Sequence, residues 1–317
     1  MPRNKVKRPW VDYLVYLAVR AIVAFAQMLS IRQAYALARL IGWVMYTVDK
    51  RHRQVGIENL RLAYGDQMNE VERDQMVRGV YRHFCMMLME IFHTPKTITL
   101  ENYRKYVTLS GHEPILERML SNEPMILLTG HYGNWEIAGY VFGLFGFPTY
   151  SVARALDNAY LDRYLRSFRE QTGQRMIPKA GGYDQIVEVL QTNKPLSMLA
   201  DQDAGQRGMF VDFFGRQAST HKAIALLAIE HNAPIMVGVA RRIGPGFRYE
   251  MRCAEIIEPG ELSGGADDVR LLTQRYTSAL EDLIRRDPTQ YLWLHRRWKH
   301  QPTSRKKPAK APEMIPG

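Results

Sequence analysis

The feature that most constrains this chain is an alternation between residues 125 and 201. The runs MILLTG, TYSVARAL, RMIP and PLSMLAD read as strands, and NWEIAGYVFGLF, NAYLDRYLRSFREQTG and YDQIVEVLQTN between them read as helices. Strands separated by helices are joined by crossovers, and crossovers make the strands parallel and cover both faces of their sheet. After MFVDFFG a further helix is expected at STHKAIALLAIEHN, then strands at PIMVGVARR and RYEMRCAEII and a long helix around VRLLTQRYTSALEDLIRR. The fold expected is α/β: a mixed, largely parallel central sheet flanked by helices, with an N-terminal membrane-associated helical segment.

That segment opens on a basic head, MPRNKVKRPW, followed by an apolar run from Tyr13 to Leu29 that Arg20 interrupts. No small-residue cleavage site follows, which argues against a secretory signal. At about 17 residues the run is at the lower limit for crossing a bilayer. A second run, 35–48, is shorter and contains Arg39. Both read as helices lying in the membrane interface, with Lys5, Lys7, Arg8, Arg20 and Arg39 near headgroups. The alternatives are a spanning first helix, or two amphipathic helices packed on a soluble core. A helix is also expected from Asn69 to His93. Asn69 and Glu72 form a capping box there, Met76, Val80, Phe84, Met87 and Ile91 recur at helical spacing, and Pro95 ends it. The division expected is 1–60 for the basic start and membrane helices, 61–303 for the main domain, and 304–317 for a charged, proline-rich, disordered tail.

A formal charge of +11 in 317 residues favours acidic partners: an anionic lipid surface, an acidic carrier protein or nucleic acid. The last is disfavoured, because no module interleaving aromatic and basic residues is present. The only two cysteines, Cys85 and Cys253, lack metal or redox spacing, which fits a reducing compartment and gives no zinc site.

Ligands of open α/β sheets bind beyond the carboxyl ends of the strands. His131, Arg154 and Asp201 each stand at or just past such an end. In GHYGNWE (130–136) the strand leads into a helix, so His131 lies in the turn and Glu136 in the first helical turn. A carboxylate on one imidazole nitrogen would leave the other as a base. With no serine or cysteine in the motif, direct transfer to a substrate hydroxyl is more natural than a covalent intermediate. Spacing alone leaves a second reading open, that of a structural histidine and acid at a strand-to-helix corner. Arg154 offers a planar fork for phosphate or carboxylate, or else pairs with Asp157 or Asp162. Asp201 and Asp203 order Arg154 or the histidine, or else cap the turn at AGQRG. A metal at this pair is not expected, since the chemistry needs none.

GHYGNWE resembles the His-x4-Glu version of the His-x4-Asp motif of the glycerolipid acyltransferase superfamily, and in particular the lipid A biosynthesis acyltransferases that add secondary acyl chains. RQVGIENLRLAYGD (53–66), VARALDNAYLDRYLRSFREQTG (152–173), LADQDAGQRGMFVDFFGRQAST (199–220) and QYLWLHRRWKH (290–300) are similar, in order, to further blocks of that family. The resemblance implies His131 as the base that deprotonates an acceptor hydroxyl, Glu136 as its orienting partner, and Arg154, Asp201 and Asp203 in substrate binding. It also implies a fatty acyl thioester, on acyl carrier protein or coenzyme A, as co-substrate with no cofactor. The acceptor it implies is a lipid A precursor or another glycolipid such as a phosphoinositide mannoside, and the location the cytoplasmic face of the inner membrane. A peripheral lipid-binding protein with an inert dyad is the non-enzymatic alternative.

Other residues read as structure. Thr220, with Ser219 beside it, reads as a helix cap. Tyr291, Trp293 and His295 alternate like one face of a strand, the first two as core. His83, His93, His112, His221, His231 and His300 show no partner pattern.

Overall fold

The computed structural model describes residues 9–261, 264–265 and 267–302. Lys5, Lys7 and Arg8 and the tail 304–317 lie outside them. Four helices come first: α1 (Pro9–Met28), α2 (Ile31–Val48), α3 (Lys50–Tyr64) and α4 (Glu70–Thr97). The sequence boundary drawn at residue 60 falls inside α3. Then follow β1 (Val107–Ser110), α5 (Glu113–Leu120), β2 (Met125–Thr129), α6 (Trp135–Leu144), β3 (Tyr150–Ala153), α7 (Ala159–Glu170), β4 (Arg175–Pro178), α8 (Tyr183–Gln191) and β5 (Pro195–Leu199). The chain continues through β6 (Met209–Phe213), β7 (Arg216–Thr220), α9 (Ala223–Glu230), β8 (Ile235–Arg242), β9 (Tyr249–Ile257) and α10 (Asp268–Arg286).

The strands of the main sheet lie in the order β1-β9-β8-β2-β5-β3-β4. Only the β8–β9 pair is antiparallel, since a short hairpin joins those two strands; every other pair is parallel. The mixed, largely parallel sheet expected from the alternation is therefore what forms. β2 sits at its centre, with Met125, Ile126, Leu127 and Leu128 all buried, as expected of a strand covered on both faces.

Three elements depart from the sequence reading. β6 and β7 form a separate antiparallel hairpin through Phe214 (φ 54°) and Gly215 (φ 70°), the two positive dihedrals of a type I′ turn. Thr220 ends β7 as a buried residue and caps nothing; α9 starts three residues later without a side-chain cap. Helix α4 does carry the Asn69–Glu72 capping box but continues past His93, with Pro95 in its last turn. Its buried stripe runs through Val77, Val80, His83, Met87 and Glu90 rather than Met76, Phe84 and Ile91. The stripe is rotated so that His83 and Glu90 lie inside, and His93 and Thr94 are buried as well.

Helix α1 is long and apolar enough to cross a membrane, and it leaves Trp10, Leu14, Ile22, Phe25 and Met28 exposed. The neighbouring α2 exposes Leu40, Trp43 and Val48. Contiguous apolar exposure on this scale is rare on the water-facing surface of a monomer. Arg20 does not stand free in that surface: its guanidinium donates to the Tyr16 hydroxyl and lies 4.9 Å from the centre of the Tyr164 ring on α7.

Candidate active site

Strands β2 and β5 are parallel neighbours in a register that pairs Thr129 with Leu199. Two residues beyond each of these stand His131 and Asp201, so the two side chains leave the sheet at the same height on adjacent strands. Asp201 accepts two hydrogen bonds from His131, one from ring Nδ1 to Oδ1 at 2.9 Å and one from the backbone N–H to Oδ2 at 3.0 Å. Gly130 makes the approach possible, because a Cβ there would lie 2.9 Å from Leu280 and 3.2 Å from Asp201. Gly133, at φ +65°, passes so close to β8 that a Cβ would sit 2.1 Å from the Ala240 carbonyl oxygen.

Asp201 is almost wholly buried. Burial pushes its carboxyl up, but the His131 ring and the two hydrogen bonds outweigh that and hold it below the ordinary carboxylate range. With Nδ1–H engaged by a carboxylate, the unprotonated nitrogen of neutral His131 is Nε2, and Asp201 stabilises the imidazolium formed when Nε2 takes a proton. Tyr291 is buried close to Asp201; burial and that carboxylate push its phenol far above its ordinary range.

Glu136 is not the partner of His131. Its oxygens accept from Arg169 Nε at 2.9 Å, from Arg169 Nη2 and from Trp135 Nε1 at 3.2 Å. As a residue of the first turn of α6 it points to α7, away from the β5 edge where the register places Asp201. The expected dyad is thus corrected to His131 with Asp201, and Glu136 clamps α6 to α7. Arg154 stands at the carboxyl edge after β3, as expected, but its side chain is 82% exposed and 3.6 Å from Asp157, the ion pair given above as its alternative.

Asp203 orders the far wall. It accepts from His300 Nδ1 at 2.6 Å, and its backbone N–H donates to His295 Nε2 at 3.2 Å. His300 is therefore partnered, contrary to expectation, and His295 belongs to the site rather than to a strand face. Burial holds the His295 imidazole below its ordinary range, and the neighbouring His131 adds to that. Arg297, also buried, donates to the Ser219 carbonyl and the Thr220 hydroxyl and so ties the C-terminal segment to the β6–β7 hairpin. Tyr291 and Trp293 are core, as expected.

Beside the dyad an apolar cavity lies between one face of the sheet and helices α5, α6 and α7, with about 1140 Å³ of empty volume continuous with solvent at its mouth. Thr129 and Trp135 line the end near His131, whose ring centre is 5.0 Å from that of Trp135. Ile115, Leu127, Met236 and Cys253 line the end farther back along the strands. The Glu136–Arg169 pair is the charged feature of its α6–α7 wall.

A histidine poised by a buried acid next to a long apolar slot is an arrangement suited to moving a proton beside a fatty chain. The model of the bacterial lipid A biosynthesis acyltransferases matches residues 2–300. The chain belongs to that family. It is an acyltransferase, and its relatives carry named specificities. It is 26% identical over 274 residues to the lipid A biosynthesis lauroyltransferase of Escherichia coli (strain K12), covering 84% of this chain and 86% of that one. It is 26% identical over 260 residues to the palmitoleoyltransferase of the same strain, covering 80% of each chain. A phosphatidylinositol mannoside acyltransferase of Mycobacterium tuberculosis (strain CDC 1551 / Oshkosh) is 24% identical over 314 residues, covering 94% of this chain and 91% of that one. In this chain GHYGNWE supplies the turn that carries His131, and LADQD supplies its acid.

Proposed function

We propose that this protein transfers a fatty acyl chain from a thioester of acyl carrier protein or coenzyme A to a hydroxyl of a phosphorylated glycolipid, a lipid A precursor, at the cytoplasmic face of the inner membrane. The observation that carries the proposal is the His131–Asp201 pair, whose imidazole lies against Trp135 in the wall of the apolar cavity.

In this reading the acyl chain lies in the cavity and its thioester carbonyl reaches His131. Nε2 removes the proton of the acceptor hydroxyl as the oxygen attacks that carbonyl, and the imidazolium is stabilised by Asp201. The first backbone amides of α6 support the tetrahedral oxyanion. Collapse of the intermediate breaks the carbon–sulfur bond, and the departing thiolate takes the proton back from His131. The acyl group ends as an ester and the histidine is neutral again. Asp203, with His295 and His300, shapes the acceptor side of the site, and Arg154, exposed at the same sheet edge, is free to exchange Asp157 for an acceptor phosphate.

The exposed apolar surfaces of α1 and α2 support a membrane-bound enzyme, and the +11 charge supports attraction to anionic lipid and to an acidic carrier protein. A phosphatidylinositol mannoside acceptor is the second reading, favoured by the mycobacterial relative that matches 94% of the chain. Purified protein given a lauroyl thioester and each acceptor in turn separates the two: acylation of the phosphorylated disaccharide alone supports the first, and acylation of the mannoside alone replaces it.

A further inference from the structure

Behind the His131 turn lies a charged network that the transfer step does not use. Glu90 of α4 is fully buried and Arg242, at the end of β8, is nearly so. Both nitrogens Nε and Nη2 of Arg242 donate to Glu90, the latter at 3.2 Å. The remaining capacity of Glu90 is taken by the Tyr35 hydroxyl of α2 at 2.8 Å and by Asn134 Nδ2 at 3.2 Å. Arg242 Nη2 also donates to His83 Nδ1 at 3.1 Å, and His83 Nε2 donates to the Gly133 carbonyl at 3.1 Å.

The network ends on two consecutive residues of the turn. Asn134 is the N-cap of α6: its Oδ1 accepts from the Ile137 N–H at 3.3 Å, so Glu90 fixes which way the amide faces. Gly133 is the residue in the left-handed region. His83 needs one N–H and one lone pair to serve both partners, which is the neutral imidazole; burial, and Arg242 after it, keep the ring in that form. A buried ion pair is weak support for stability, because well-packed apolar residues of similar volume do as well or better. Its placement directly behind the turn points to geometry instead.

We infer that Glu90, Arg242 and His83 are positioning residues, which hold residues 133–134 and thereby set the angle at which His131 leaves β2 and α6 begins. The inference rests on the reading of His131 as the base, and it links that base through Tyr35 to α2, a helix of the apolar surface. Misplacement of a reacting group by about 1 Å costs about a hundredfold in rate.

The test compares His83→Gln with His83→Met in the purified full-length protein. The two replacements are close in size and differ in the N–H that reaches Gly133. Amide hydrogen exchange of the peptide covering 130–137 is measured beside kcat and KM with a lauroyl thioester donor. His83→Met is expected to raise exchange in that peptide about tenfold and to lower kcat about tenfold or more, with KM for the donor within about twofold. His83→Gln is expected to stay within about threefold of the unmutated protein on both. Should His83→Met fail to fold, Asn134→Ser keeps a capping oxygen, loses the donor to Glu90, and is expected to show the same pair of changes. Unchanged exchange at 130–137 in His83→Met, or equal loss in His83→Gln, overturns the inference. If the unmutated protein transfers no acyl group, the proposed function falls while the exchange measurement still decides this point.

Discussion

Asp201 takes both hydrogen bonds that His131 offers on its β5 side, one from the ring and one from the backbone. Asparagine at 201 keeps the shape but presents an uncharged amide, which no longer stabilises the imidazolium. Asp201→Asn is therefore expected to lower kcat by about a hundredfold or more, with the donor KM little changed. Steady-state kinetics with a saturating acceptor checks it; a fall in kcat smaller than threefold contradicts the pairing.

Glu136 and Arg169 form a largely buried ion pair in the wall of an apolar cavity, and each is the other's counter-charge. Removing one leaves the other desolvated and alone. Glu136→Ala is expected to cost about 2–3 kcal/mol of unfolding free energy, and the double change Glu136→Leu with Arg169→Met about 1 kcal/mol or less. Denaturant titration of the three proteins reads the difference. An equal loss in the single and double variants argues against the pair.

Stability should weaken on acidification before carboxylates titrate. His83, His221 and His295 are each held below the ordinary imidazole value of 6.5, with burial the first cause in every case. The fold prefers these rings neutral, so the unfolded chain binds more protons as pH falls below 6.5. Their contribution is complete above that value and is lost as pH falls from it toward the folded values. Asp201 acts later: its folded value lies below the ordinary 3.8, so its contribution is complete above 3.8 and is lost as pH falls from there through that lower value. The unfolding free energy, read by denaturant titration, should hold level from about pH 8 to pH 6.5 and decline from there to about pH 5, and His83→Gln should flatten that decline by at most about 1.4 kcal/mol per pH unit.

Ile115, Leu127, Met236 and Cys253 line the cavity away from His131 and belong to one apolar cluster. Cys253→Phe puts a ring into that space and should move donor preference to shorter chains. Each methylene that loses its place forfeits about 0.8 kcal/mol, about a fourfold change in relative kcat/KM per carbon. Competition between thioesters of different length measures it. An unchanged preference shows that the chain lies elsewhere.

What the sequence reveals and what it withholds divide along range. The β-α alternation from 125 to 201 is a local pattern, and the order of strands and helices follows from it. His131 and Asp201 at strand ends are equally legible, because an apolar run that stops marks the edge of the sheet. The partnership between them depends on β2 and β5 being neighbours in a register that pairs Thr129 with Leu199, which joins residues 70 positions apart. Spacing within one motif favours Glu136 instead, and nothing in that motif reveals Arg169 waiting on α7. The β6–β7 hairpin left a usable signal, a Phe-Gly pair between two five-residue runs, but Phe is an unusual residue at a positive φ. His83 showed no partner pattern, and Glu90 gave no signal, because their partner, Arg242, is 152 residues from Glu90.

The central claim is that His131, oriented by Asp201, is the base of an acyl transfer to a glycolipid hydroxyl. Its most direct test is the rate at which purified full-length protein moves a labelled lauroyl group from acyl carrier protein to a phosphorylated disaccharide lipid, compared with His131→Ala under saturating substrates. The predicted result is transfer by the unmutated protein and a loss of about 10²- to 10⁴-fold in the variant, with its fold intact by circular dichroism. Transfer by His131→Ala at the unmutated rate would contradict it.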